Sequence, residues 1–289
     1  QIKRKYRPKT ETYIKLAFRP EEQEKLRPIF EQLAPAKKQL KLLMAYLELS
    51  SFMQRGQFKE VSRNTLLERA DVSSSVLSGL IDKGILISYK REISRLDTSG
   101  RSAEPAHALN TVQQKALDQI LHSFKDKEVT LLHGVTSSGK TEIYIHLIQE
   151  VIQKGRQVLY LVPEIALTTQ LTTRLQRVFG DSLAIYHSKF TDNERVEIWN
   201  NLLKDKGIRV ILGVRSSIFL PFRDLGLVIV DEEHENTYKQ QDPAPRYHAR
   251  NAAIVLASMH GAKTLLGSAT PALESYYNAQ QGKYGFVEL

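Results

Sequence analysis

Apolar positions along this chain follow two different rhythms. After residue 107, short apolar runs at 129–132, 158–162, 183–185, 210–212, 227–230 and 264–266 alternate with helical patterns such as 167–179 and 194–203. Unbroken runs of this length read as strands buried on both faces, and recurrence every three or four residues reads as amphipathic helix. Such alternation predicts an α/β fold, a mostly parallel sheet with helices on both faces and ligands at the strand C-terminal ends. Ahead of residue 97 the rhythm is mainly helical. Residues 21–33 present Leu26, Ile29, Phe30 and Leu33 on one face, with Pro20 just before them. Three short patterns follow: Leu40, Leu43, Met44 and Leu47; Leu66, Leu67 and Ala70; Val76, Leu77, Leu80 and Ile81. Ser73 or Ser74 caps the third, Gly84 closes it, and 85–91 reads as a strand with a basic end.

Three short helices followed by a strand resemble a winged-helix domain, a helix-turn-helix variant. The resemblance leaves open whether the third helix and wing touch DNA or only protein. Residues 97–107 are small, polar and interrupted by Gly100 and Pro105, which reads as a linker. The chain therefore divides into a basic segment at 1–15, a winged-helix domain at 16–96, the linker, and an α/β domain at 108–289. Charge follows this division. Residues 1–107 hold 21 Lys and Arg against 13 Asp and Glu, whereas 108–289 hold 20 against 19. An excess on one segment suits a polyanion partner, and Tyr6 and Tyr13 among Lys3, Arg4, Lys5, Arg7 and Lys9 suit nucleic acid; solubility alone is the rival reading.

The sharpest chemical signal is Gly134-Val135-Thr136-Ser137-Ser138-Gly139-Lys140-Thr141, which fits the phosphate-cradling pattern G-x-x-x-x-G-K-[ST]. An apolar run precedes it and Ile143, Leu147, Ile148 and Val151 follow at helical spacing, so the loop caps a helix. The glycines let backbone N–H groups turn toward one anion, Lys140 reaches the β- and γ-phosphates, and the Thr141 hydroxyl ligates Mg²⁺. A second signal is 227–234, four apolar residues that deliver Asp231, Glu232, Glu233 and His234 to a strand end. Asp231 is assigned to Mg²⁺, Glu232 to activation of the attacking water, and His234 to coupling.

Asp231-Glu232-Glu233-His234 is a DExH box, and Gly267-Ser268-Ala269-Thr270 resembles the helicase Ser-Ala-Thr motif, so 108–289 resembles the first, RecA-like motor lobe of a superfamily-two helicase. Val162-Pro163-Glu164-Ile165-Ala166-Leu167-Thr168, the stretch 213–222, and Tyr238-Lys239-Gln240-Gln241 before Arg246-Tyr247-His248-Ala249-Arg250 narrow the resemblance to the bacterial replication-restart helicases. It implies that Gln113 reads adenine, that Ser268 and Thr270 join His234 in coupling, and that Pro163, Glu164, Thr168, His187, Ser188, Arg215, Ser216 and Ser217 line a single-strand path. Helix capping is the rival role for each hydroxyl. Tyr238, Lys239, Arg246 and Tyr247 fall in a stretch that resembles the family's DNA-sensing aromatic-rich loop, although Gln241-Asp242-Pro243-Ala244-Pro245 stands where that family carries a glycine–tryptophan pair.

The resemblance further implies ATP and Mg²⁺ as cofactors, single-stranded and forked DNA as partners together with single-strand-binding and primosome proteins, and a monomer. It implies a fragment: a DNA-binding module before residue 1, with 1–15 as its tail, and a second lobe with an arginine finger and a zinc module beyond Leu289. The 289 residues alone are then expected to bind ATP and barely hydrolyse it. With no cysteine, no cysteine-ligated zinc site lies in this chain, and zinc is expected only in that further C-terminal part. No apolar run approaches the roughly 20 residues a membrane span needs, and a cytoplasmic protein without a membrane partner fits. The expected activity is an ATP-dependent DNA helicase in replication restart; the alternatives are another superfamily-two translocase and a scaffold switched by nucleotide.

Overall fold

The computed structural model describes residues 9–18, 20–52, 59–92, 104–135 and 138–289, which separate into two units, 1–95 and 96–289. The basic opening at 1–8 and most of the linker lie outside the described residues.

The first unit runs β1 (Thr10–Leu16), a 3-10 turn (Pro20–Lys25), α1 (Leu26–Leu33), α2 (Lys37–Leu49), β2 (Val61–Ser62), α3 (Arg63–Ala70), α4 (Ser74–Asp82) and β3 (Leu86–Glu92). Its three strands pair antiparallel in the order β2-β1-β3, with Tyr13 opposite Tyr89. Ile14 and Leu16 from β1 join Leu33, Leu42, Tyr46, Leu66, Leu77, Leu80 and Leu86 in one core. Two sequence expectations are corrected here. Residues 10–15 are not a tail ahead of the winged-helix domain but belong to the central strand of its sheet. Only Ile14 and Leu16 carry the period-two signal there, among polar and basic neighbours. Nor is 21–33 one helix: Glu22 has φ −100° and ψ 34°, and α-helix begins at Leu26. Ser73 precedes α4 as its cap residue, but its hydroxyl pairs with Ser75 instead of a helix N–H.

The second unit runs α5 (Thr111–Asp126), β4 (Val129–His133), α6 (Lys140–Gln153), β5 (Gln157–Leu161), α7 (Thr169–Phe179), β6 (Leu183–Tyr186), α8 (Asp192–Leu203), β7 (Val210–Gly213), β8 (Leu225–Asp231), β9 (Lys239–Gln240), β10 (Tyr247–His248), α9 (Ala249–Met259), β11 (Lys263–Ser268), α10 (Leu273–Gln280) and β12 (Gly285–Glu288). Seven strands pair in parallel in the order β12-β4-β11-β8-β5-β7-β6, while β9 and β10 form a separate antiparallel pair. The expected parallel α/β sheet is present; the edge strand β12 had no counterpart among the predicted strands.

Alternate residues of each strand face opposite cores. Leu131, Leu159, Leu161, Val228, Val230 and Leu266 pack on one side, and Leu132, Val158, Tyr160, Leu227, Ile229 and Leu265 on the other. Burial on both faces is why these strands read as continuous apolar runs. Among the described residues, no helix is long and apolar enough to cross a membrane.

Candidate nucleotide and nucleic-acid site

Because the strands are parallel, their C-terminal ends lie along one edge of the sheet. The strand order divides that edge. β4, β11 and β8 are neighbours and carry the glycine-rich loop, the Ser-Ala-Thr segment and the acidic cluster. β5, β7 and β6 lie to one side and carry 163–168, 213–217 and 187–188 at their ends.

The glycine-rich loop passes from β4 to α6 and is tied to β11 by the Gly134 N–H, which donates to the Ser268 carbonyl at 3.1 Å. Gly139 has φ +90°, and a Cβ there would overlap the Gln113 side-chain amide, so both conformation and space demand glycine. Lys140 is buried; its ammonium donates to the Gly134 and Val135 carbonyls at 2.7 and 3.3 Å and lies 3.9 Å from Glu232. The Ser138 hydroxyl is buried without a partner among the described residues. That orphaned donor, the ammonium beside it and the helix N-terminus fit a bound phosphate. Thr136 and Ser137 lie outside the described residues. Gln113 lies against the loop through Gly139, but its amide oxygen accepts the Asn110 N–H at 3.0 Å and its own N–H meets Asn110 at 2.8 Å. This capping box commits half of the amide, leaving its NH₂ end beside the loop.

Asp231 ends β8 under several donors. The Tyr144 hydroxyl and the Glu232 N–H both reach Oδ1 at 3.1 Å, and the Tyr160 hydroxyl reaches Oδ2 at 3.2 Å. Gly267 makes room on β11, since a Cβ there would overlap the Tyr144 hydroxyl. Burial, and then the charge of Glu232, raise the Asp231 pKa, while Tyr144 and Lys140 oppose the shift. Burial first, and then Asp231, push both phenols well above the ordinary tyrosine range, so they stay protonated donors. A hydrogen bond with Thr141 pulls Tyr160 the other way. Thr141 and Asp231 are both assigned to Mg²⁺, and their oxygen donors suit that hard cation. Glu232 adopts φ +45°, a strained value for a residue with a side chain, as the chain turns sharply off the strand.

The three residues expected to take part in coupling, His234, Ser268 and Thr270, come together. His234 Nδ1 shares a hydrogen bond with the Ser268 hydroxyl at 2.7 Å, and Ser268 accepts the Thr270 N–H at 3.0 Å. Glu233 received no role from the sequence yet is fully buried. Its carboxylate accepts from Arg250 at 2.7 Å, the Ala272 N–H at 2.7 Å and the Ser275 hydroxyl at 2.9 Å. An acidic run offered no signal for this. Tyr144 of α6 and Tyr160 of β5 were also missed, although Tyr160, a tyrosine inside a buried strand run, is itself a signal that a polar partner lies nearby.

The residues expected to meet DNA separate into two groups. Ser188 donates to Glu164, and Pro163 beside them is buried. Lys239 and Arg246 are exposed and line a cavity of about 760 Å³ with Gln240, Gln241, Asp242, Tyr247 and His248. Tyr247 packs edge to face on the exposed Phe219 at 5.1 Å, and its hydroxyl lies 3.5 Å from the Arg215 carbonyl. Arg215 and Ser216 are half-buried; Arg215 donates to the Thr237 carbonyl at 3.4 Å. His187 packs on Phe190 at 4.1 Å and buries an Nδ1 with no hydrogen-bond partner among the described residues.

Two assignments are corrected. Ser217 is fully buried with its hydroxyl on the Val214 carbonyl at 2.5 Å. Tyr238 is 1% exposed and donates to the Asp231 carbonyl at 2.6 Å, so it braces the acidic turn. Neither presents its side chain to DNA, because each side chain points back into the packed sheet edge. Thr168 is exposed, but its hydroxyl caps α7 by accepting the Leu171 N–H.

Two family models match the chain. One, described as the winged helix domain of PriA helicase in Bacteroidota, matches residues 11–93; the other, DEAD/DEAH box helicase, matches 110–279. The replication restart protein PriA of Bacillus subtilis is 42% identical over 229 residues, covering 78% of this chain and 28% of that protein. Its counterpart from Haemophilus influenzae is 40% identical over 252 residues, covering 84% and 34%. That from Rickettsia felis is 46% identical over 177 residues, covering 61% and 27%. The chain spans about a third of the length of these relatives.

Proposed function

The chain belongs to the DEAD/DEAH box helicase family, and from that premise we propose that it forms the ATP-binding lobe and winged-helix part of a replication-restart DNA helicase. In this reading the whole protein uses ATP hydrolysis to move on single-stranded DNA and to load replication proteins at stalled forks. The observation that carries the reading is the approach of Lys140 to Glu232 at 3.9 Å, a cation from the phosphate loop facing a carboxylate some ninety residues later.

Lys140, the backbone N–H groups after Gly134, and Gly139 and Ser138 hold the phosphates, and Gln113 presents its NH₂ end to the base. When bound with ATP, Mg²⁺ neutralises charge that develops on the transferred phosphoryl group. Thr141 and Asp231 are the side chains that would hold it. Glu232 orients the attacking water and takes its proton. His234, Ser268 and Thr270 carry the state of this site to the neighbouring segment. Glu164 with Ser188, and Arg215 with Lys239, Arg246 and Tyr247, are the candidates for a sequence-neutral grip on single-stranded DNA. Forked DNA, single-strand-binding protein and primosome proteins are the partners inferred for a monomeric cytoplasmic enzyme.

Calorimetric titration of ADP tests the site. Lys140→Ala is expected to weaken binding by roughly 1.5–3 kcal/mol, the range for hydrogen bonds to charged groups. Equal affinity in the two proteins would remove the phosphate-loop reading.

A further inference from the structure

Asp231 is restrained by more donors than a residue at a strand end requires. A carboxylate offers about four lone-pair directions. Three are used: Oδ1 accepts from the Tyr144 hydroxyl and the Glu232 N–H, and Oδ2 accepts from the Tyr160 hydroxyl. The two phenols arrive from separate elements, α6 behind the phosphate loop and β5 beside β8. Both side chains are fully buried, and their rings meet edge to face at 5.5 Å. On the other flank of β8, Gly267 of β11 leaves open the space that the Tyr144 hydroxyl occupies. Phenylalanine would fill the same volume without a buried hydroxyl to satisfy, so packing alone does not call for tyrosine at either position.

We propose that Tyr144 and Tyr160 are positioning residues that clamp the Asp231 carboxylate, leaving a single acceptor direction on Oδ2, among the described residues, for Mg²⁺ or a water that Mg²⁺ carries. The inference rests on the assignment of Asp231 to Mg²⁺ made above. The carboxylate torsion of an aspartate is intrinsically broad, so its orientation is set by what it hydrogen-bonds. Donors from two elements on two oxygens hold the plane of the group and prevent it from chelating the ion through both oxygens. Mg²⁺ keeps several waters and demands near-octahedral geometry, so a carboxylate free to rotate serves it poorly. The arrangement also places the aromatic clamp between the phosphate helix and the strand that ends in the acidic cluster, which makes Asp231 sensitive to any shift of α6.

The test uses the full chain and follows ADP binding by calorimetry, first in EDTA and then across a Mg²⁺ titration. The variants are Tyr144→Phe, Tyr160→Phe and Asp231→Asn, with thermal melts to check folding. Gly267→Ala gives an independent route, because its added methyl displaces the Tyr144 hydroxyl without removing it. The expected result is unchanged ADP affinity in EDTA for both phenylalanine variants. The Mg²⁺ concentration for half-maximal enhancement rises about tenfold, the lower end for loss of a group that orients a metal ligand. Gly267→Ala should reproduce the Tyr144→Phe shift. If the Mg²⁺ midpoint stays at the wild-type value while Asp231→Asn abolishes the Mg²⁺ effect, the tyrosines only pack and the inference is overturned. It is overturned equally if the phenylalanine variants weaken ADP binding in EDTA as much as in Mg²⁺. If Asp231→Asn keeps the full Mg²⁺ enhancement, the assignment of Asp231 itself fails.

Discussion

Arg250→Ala is expected to be among the most destabilising single changes available in the α/β unit. Arg250 has 9% of its side chain exposed and Glu233 none, and the two meet at 2.7 Å. Truncating the arginine leaves the Ala272 N–H and Ser275 hydroxyl as the remaining partners of a buried carboxylate. Breaking a buried pair from one side costs about 3–5 kcal/mol, because the surviving charge stays desolvated. The Lys263–Glu128 pair gives the contrast: Glu128 is 67% exposed there, and Lys263→Ala should cost less than about 1 kcal/mol. Urea unfolding followed by fluorescence of Trp199, the single tryptophan, reports on the α/β unit, since that residue lies in α8. With a urea dependence near 2 kcal/mol per molar, the Arg250→Ala midpoint should fall by about 1.5–2.5 M with an unchanged slope. Replacing both members, Arg250→Met with Glu233→Leu, should recover much of the loss because no charge is then left buried. A midpoint for Arg250→Ala within the range of Lys263→Ala would refute the reasoning.

Other outcomes follow from the same geometry. Tyr238→Phe should cost about 1 kcal/mol of stability, the worth of one net hydrogen bond, and leave single-stranded DNA affinity unchanged; weakened DNA binding at full stability would restore it as a DNA contact. Replacing Lys239 and Arg246 together with alanine should weaken DNA binding uniformly across sequences and flatten its salt dependence by about one to two counterions, read by fluorescence anisotropy. Burial first, and then Lys189, lower the His187 pKa, so the native state resists protonation that the unfolded chain accepts. Its contribution to stability is present above the ordinary histidine value and is lost as pH falls toward the depressed one. His187→Asn should therefore show a shallower loss of stability between pH 7.5 and 5.5 than the wild type, and parallel curves would count against the shift.

Much of the candidate site was legible before the fold because its residues sit in contiguous stretches. A phosphate loop must be a strand, a glycine-bearing turn and a helix in immediate succession, and 129–141 states all three. The acidic cluster follows its strand in the same way, and so does the Ser-Ala-Thr segment. Parallel strands buried on both faces leave uninterrupted apolar runs, which made the sheet readable while the short edge strand β12 and the weakly patterned β1 escaped. Burial and direction are different matters, since they depend on what arrives from elsewhere in the chain. Tyr238 and Tyr247 stand nine residues apart in one loop and look alike in sequence, yet one is sealed under Asp231 and the other packs on an exposed phenylalanine. Glu232 and Glu233 are adjacent carboxylates. The sharp turn at Glu232 sends one toward Lys140 and the other inward to Arg250, Ala272 and Ser275, partners at least 17 residues away. Local spacing therefore marked the candidate site. Only packing between distant segments decided which polar side chain faces the ligand and which braces the residue that does.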